Sequence, residues 1–130
     1  MNIRLATLGD AEMLLVWRND HLTREMSKNM DVVAMEGHVK WLAARLAREE
    51  PHLYVAESDG VPVGTIRIDG DEVSYTTAPE HRGLGHATAM LMWAKEKFGS
   101  LRAEIKPGNV ASIKAAERAG HQVHLLEGAE

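Results

Sequence analysis

The chain has 130 residues and no cysteine, which excludes a disulfide framework, a thiol nucleophile and a thiolate metal site. Its formal net charge of −4 gives no electrostatic footprint for nucleic acid, no apolar run reaches the length of a membrane span, and the first residues are not a signal peptide. With 45% hydrophobic and 26% charged residues, the composition predicts one soluble cytoplasmic domain over 1–130, able to bury roughly two-thirds of its unfolded surface.

Asn2 to Ala6 alternates polar and apolar and predicts a short strand. Thr7 to Asp10 is a turn, with Asp10 as the N-cap of a helix that carries Leu14, Leu15, Trp17 and Arg18 and ends within W-R-N-D-H at Trp17 to His21. His21 to Val33 is polar and methionine-rich without a clear period, so it reads as a loop or short helical turn, and loops of this length are often functional. From Glu36 to Arg48, Val39, Leu42, Ala43 and Leu46 form one helical stripe, which Pro51 ends. His52 to Glu57 and Val61 to Ile68 then read as strands around a Ser58–Asp59–Gly60 hairpin turn. Asp69–Gly70–Asp71 turns the chain again into a third strand of an antiparallel meander.

The third strand, Val73 to Thr77, is β-branched and aromatic, and Ala78–Pro79 stops it. A glycine-rich turn from His81 to Thr88 follows, then an amphipathic helix carrying Ala87, Leu91, Ala94 and Phe98. Strand, glycine turn and helix N-terminus together form a phosphate-binding geometry. Helix-start amides lack internal partners and carry partial positive charge, and Gly83 and Gly85 let an anion approach the backbone. Arg82 adds a planar cation at the rim. A plain tight turn explains the same glycines, so this part alone leaves both readings open. No lysine stands where a Walker A loop needs one, and the dinucleotide pattern G-x-G-x-x-G would end on Thr88.

Leu101 to Ile105 is a further strand, and a strand-helix-strand passage implies a parallel pair. Asn109 caps a helix reaching about Ala119, Gly120 stops it, and His121 to Leu126 is the last strand.

These motifs together resemble the GNAT superfamily of acyl-CoA N-acyltransferases. Its glycine motif, [QR]-x-x-G-x-[GA], is met by Arg82, Gly85 and Ala87 in R-G-L-G-H-A. Its second motif is met by Asn109 to His121, N-V-A-S-I-K-A-A-E-R-A-G-H. E-V-S-Y-T-T-A-P is similar to the central strand of the branch acting on ribosomal proteins. L-L-V-W-R-N-D at Leu14 to Asp20 and H-V-K-W at His38 to Trp41 resemble the branch that acetylates nucleotide-linked amino sugars, as in pseudaminic-acid synthesis.

The resemblance implies an α/β fold with a mixed, mostly antiparallel central sheet, about four flanking helices and a shortened C-terminal strand hairpin. It implies acetyl-CoA as co-substrate, no metal, a small-molecule amine as partner, and neither nucleic acid nor membrane. Only one strand follows Gly120 where the family usually ends in a hairpin, and that strand either pairs in a homodimer or leaves the sheet edge open. The diphosphate would lie on Arg82, Gly83, Leu84, Gly85, His86 and Ala87, with the Thr88 hydroxyl nearby. The pantetheine arm would pair with Tyr75, Thr76 and Thr77, with Asn109 and Ser112 opposite, although Asn109 also serves as a simple helix cap. Glu72 and His38 are the candidate general bases, and Tyr75 lines the thioester pocket or packs. Trp17, Arg18, His21, His38 and Trp41 would hold the acceptor, with core packing the alternative for the tryptophans. Acetylation of a protein N-terminus or another amine, and a non-catalytic acyl-CoA-binding module, stay open as alternatives.

Two positions depart from the family pattern. Ala116 stands where many members carry the tyrosine that reprotonates the departing thiolate, and His121 replaces an aromatic residue after the glycine.

Overall fold

The computed structural model describes residues 1–126; the E-G-A-E tail after Leu126 lies outside the described residues. Six strands, β1 (Asn2–Leu5), β2 (Leu53–Ser58), β3 (Val61–Asp69), β4 (Glu72–Thr77), β5 (Arg102–Ile105) and β6 (Gln122–Leu125), form one sheet in sequence order. β1 to β4 are antiparallel, while β4–β5 and β5–β6 are parallel. The helices are α1 (Ala11–Asn19), α2 (His21–Met26), α3 (Met35–Leu46), α4 (His86–Phe98) and α5 (Val110–Arg118). Alternation along the strands divides the side chains between two faces. Ile66, Ile68, Val73, Ala103 and Ile105 pack with Met90, Leu91 and Ala94 of α4 and Ala115 and Ala116 of α5. Leu53 and Val55 pack with Leu14, Trp17 and Leu42 of α1 and α3 on the opposite face. The result is the mixed, mostly antiparallel α/β sheet expected, with helices on both faces.

The β2–β3 hairpin closes through Asp59 and Gly60, both at positive φ, as a two-residue turn matched to strand twist requires. One local expectation needs correction. Asp10 makes no side-chain cap for α1. Its carboxylate instead accepts from the Thr7 amide and from both Arg4 Nη atoms at 2.8 Å, which holds the turn after β1 against the strand. His21 to Val33 holds the short helical turn, one of its two expected readings, because Asp20 accepts from the Thr23 amide and starts α2, and the rest of the stretch is loop.

The feature that positions the site is the meeting of β4 with β5. The two strands are in register only at Glu72 and Arg102. They then diverge, while β4 stays paired with β3 up to Thr77. The divergence leaves the Tyr75–Thr77 edge open towards α5.

Candidate active site

Three cavities meet at Tyr75. The first is a groove of about 660 Å³ running from the divergence over the glycine turn, between the start of α4 and α5. Tyr75, Thr76, Thr77, Arg82, Gly83, Gly85, His86, Ala87, Thr88, Asn109 and Ser112 line it. Gly83 and Gly85 have φ of 77° and 83°, and a Cβ at either would meet nothing within 4 Å. The groove floor is therefore bare backbone beneath the N-terminus of a 13-residue helix. Lys114 and Arg118 of α5 add cations that the sequence alone did not single out, and among the described residues no acidic one lines the groove. These residues fit a long polyanion such as a coenzyme A diphosphate.

Arg82 is not a free rim cation. Its Nη2 donates to Asp20 Oδ2 and, at 3.1 Å, to Thr23 Oγ1, tying the glycine turn to the start of α2. The Arg82 hydrogen bond holds the Asp20 carboxyl below its ordinary pKa. Leu84 points outward at 66% exposure and does not line the groove. Asn109 caps α5 through the Ser112 amide at 3.3 Å.

The second cavity, of about 500 Å³, lies on the α1–α3 face. Leu14, Trp17, Arg18, His38, Trp41, Thr65, Arg67, Ser74, Tyr75 and Thr76 are among its walls. His21 is exposed and lines none of the three cavities. Trp17 belongs to the α1–α3 core as well as to the wall, whereas Trp41 is 41% exposed and stacks on His38 at 6.1 Å. His38 is buried, and its Nε2 lies 2.9 Å from the Ala11 carbonyl. A carbonyl only accepts, so Nε2 carries the proton and Nδ1 is the basic atom.

A third, smaller chamber of about 360 Å³ links the two and contains Glu72. Glu72 is neither a lone solvated carboxylate nor an unengaged base. Lys28 Nζ lies 2.8 Å from its Oε2 and 3.0 Å from Glu104 Oε1, and Arg102 Nη2 lies 3.7 Å from its Oε1. Hydrogen bonding to Glu72 raises the Lys28 pKa. Lys28 stands in the aperiodic stretch, where composition offers no signal for it. Tyr75 donates its hydroxyl to the Ser112 carbonyl at 3.2 Å, and burial pushes its pKa up, so the phenol stays protonated at neutral pH.

Ala116, where a family tyrosine would stand, is fully buried on the inner face of α5. His121 is also buried, with Nδ1 accepting from the Leu101 amide at 3.0 Å and Nε2 donating to the Leu91 carbonyl at 2.7 Å. It ties the residue before β5 to α4. Among the described residues, no His, Asp or Glu cluster is arranged to hold a metal, and no helix is long and apolar enough to cross a membrane.

Similar structures include ribosomal-protein-alanine N-acetyltransferase from Brucella melitensis, with 29% identity, a TM-score of 0.69, and 92% of this chain and 83% of that one covered. The protein yncA from Salmonella typhimurium, with its cofactor acetyl-CoA, is similar at 25% identity and a TM-score of 0.69, covering 92% and 78%. Aminoglycoside acetyltransferase AAC(6')-Ib, in complex with coenzyme A and kanamycin, shares the fold at 21% identity and a TM-score of 0.70, covering 92% and 82%. No curated protein matches the chain. Residues 14–121 match the model of the acetyltransferase (GNAT) family, a span holding the diverging strands, the glycine turn and both site cavities, and the chain belongs to that family.

Proposed function

We propose that the chain transfers an acetyl group from acetyl-CoA directly to a primary amine, and that this amine is carried by a nucleotide-linked amino sugar. The observation that carries the reading is the junction at Tyr75, where an anion-binding groove and a separate cavity open onto the same side chain. The amino-sugar assignment is supported by Leu14, Trp17, Arg18, His38 and Trp41. These five belong to the two N-terminal motifs and line the second cavity.

Bound acetyl-CoA supplies a thioester carbonyl for the amine to attack. The amides from Arg82 to Ala87 hold its diphosphate, aided by Thr88, Lys114 and Arg118. The open β4 edge from Tyr75 to Thr77 pairs with the pantetheine arm, and a backbone N–H there polarises the carbonyl. Asn109, already the cap of α5, and Ser112 form the opposite wall.

The amine must lose a proton before it attacks. Glu72 accepts a hydrogen bond from Lys28 at Oε2 and lies within ion-pair range of Arg102 at Oε1, whereas His38 Nδ1 has no partner among the described residues and stands on the wall of the acceptor cavity. We therefore assign the base to His38 and an electrostatic role to Glu72. Tyr75, held protonated by burial, returns a proton to the departing thiolate, a role Ala116 cannot fill.

The test is thiol release with a panel of amines, followed by His38→Gln, Glu72→Gln and Tyr75→Phe. His38→Gln and Tyr75→Phe should each lower kcat by roughly 10²-fold while leaving acetyl-CoA affinity unchanged. A larger loss in Glu72→Gln than in His38→Gln would return the base to Glu72. No thiol release with any amine by a protein that binds acetyl-CoA would favour the non-catalytic module.

A further inference from the structure

The charge in the acceptor cavity is one-sided. The chain as a whole is acidic, yet among the described residues this cavity is walled by Arg18 and Arg67 with no Asp or Glu. Arg18 is fixed by an Nη2 hydrogen bond to the Asn29 carbonyl at 2.7 Å, while its Nη1 is buried with no partner among the described residues. A buried guanidinium donor without an acceptor is costly unless something else fills the place.

Arg67 stands over Trp41, with its guanidinium carbon 5.8 Å from the ring centre. Its Nε lies 3.1 Å from Asp69 Oδ2 without a directed hydrogen bond. Asp69 is also approached by Arg45 at 2.5 Å and Arg48 at 3.6 Å, so one carboxylate serves three guanidinium groups. Burial, followed by repulsion from Arg67 and Arg24, lowers the Arg18 pKa.

We propose that this cavity selects an anionic amine, with Arg18 and Arg67 together binding a phosphate or carboxylate of the acceptor while its amine faces Tyr75. Arg67 lies outside both N-terminal motifs. It reaches the cavity because Thr65 and Arg67 share a face of β3, opposite buried Ile66 and Ile68. Two guanidinium groups match a phosphate or carboxylate by forked hydrogen bonds. Their positive potential also lowers the pKa of an incoming ammonium, raising the fraction of free amine. The same potential rejects polycationic acceptors such as aminoglycosides. The inference rests on the second cavity being the acceptor site, but not on which base acts there.

The experiment follows tryptophan fluorescence, since Trp17 and Trp41 stand at the cavity, in protein saturated with CoA so that the groove is occupied. The probes are uridine diphosphate, inorganic phosphate, uridine and kanamycin. Uridine diphosphate or phosphate should bind saturably, with uridine and kanamycin at least about tenfold weaker. Arg18→Gln and Arg67→Gln should each weaken anion binding roughly 10- to 100-fold and leave acetyl-CoA affinity unchanged. Uridine diphosphate binding more tightly than phosphate would assign the nucleotide-linked acceptor, and equal binding a small phosphate or carboxylate. No anion binding to the CoA-loaded protein, equal binding of kanamycin, or unchanged anion binding in both variants would overturn the proposal. Acetyl-CoA affinity, read separately, tells this outcome apart from failure of the cofactor site.

Discussion

Replacing Gly85 by alanine isolates the backbone floor of the groove. Gly85 sits at φ 83° and ψ 7° before α4, and a Cβ there meets nothing within 4 Å. The folding cost is therefore the left-handed backbone alone, about 1–2 kcal/mol. An unfolding entropy of about 2.1 cal/mol/K per residue gives roughly 0.27 kcal/mol/K for this chain, so Tm should fall by about 4–7 °C. Gly60, at φ 79° in the β2–β3 turn with equally open surroundings, provides the matched control. Gly60→Ala should lose a similar Tm. Only Gly85→Ala should also lose acetyl-CoA affinity, by at least about tenfold, because its methyl stands between diphosphate and amides and charge-assisted hydrogen bonds contribute about 1.5–3 kcal/mol each. Calorimetric titration beside thermal unfolding reads both quantities. Equal acetyl-CoA affinity in the two variants would refute the placement of the diphosphate on this turn.

Acid should unfold the protein through its paired carboxylates. Hydrogen bonding from Arg4 holds the Asp10 carboxyl below its ordinary pKa, so the stability it adds is complete above the unfolded value of about 3.9 and is lost as pH falls through the lower folded value. Asp20, held down by Arg82, acts in the same direction. Tm measured from about pH 6 to 2.5 should fall below about pH 4, and Asp10→Asn should lower the upper plateau and flatten the fall. Ala116→Tyr, which restores the family residue, should cost at least about 3 kcal/mol and roughly 11 °C of Tm by overpacking a fully buried site. It should add no turnover, since Ala115 rather than Ala116 faces the groove; a rise in kcat at unchanged Tm would contradict this.

Elements with a strong period were legible in the sequence because the period is what packing enforces. Leu14, Trp17 and Leu42 face one side of the sheet and Leu91 and Ala94 the other, as their spacing required. The Asp59–Gly60 hairpin and the Asn109 cap followed from local backbone chemistry. α2 was only half legible. It has six residues and buries none, so it leaves no periodic trace, and its cap, Asp20, reads equally well as the end of α1. Lys28, Arg67 and the α5 cations were missed because each gains meaning only from a partner distant in the chain or across a cavity. The Lys28–Glu72 pair spans 44 positions, and no local pattern can report it. The Thr65–Arg67 alternation on β3 was a usable signal, since a charged residue there interrupts an otherwise apolar run.

Isothermal titration of the purified, folded protein with acetyl-CoA, compared with free CoA, tests the central claim most directly. Saturable one-to-one binding of both ligands, at micromolar affinity and weakened in Gly85→Ala, is the predicted result. A folded protein that binds neither ligand would contradict the assignment of the groove between β4, α4 and α5 to the cofactor, and with it the reaction proposed at Tyr75.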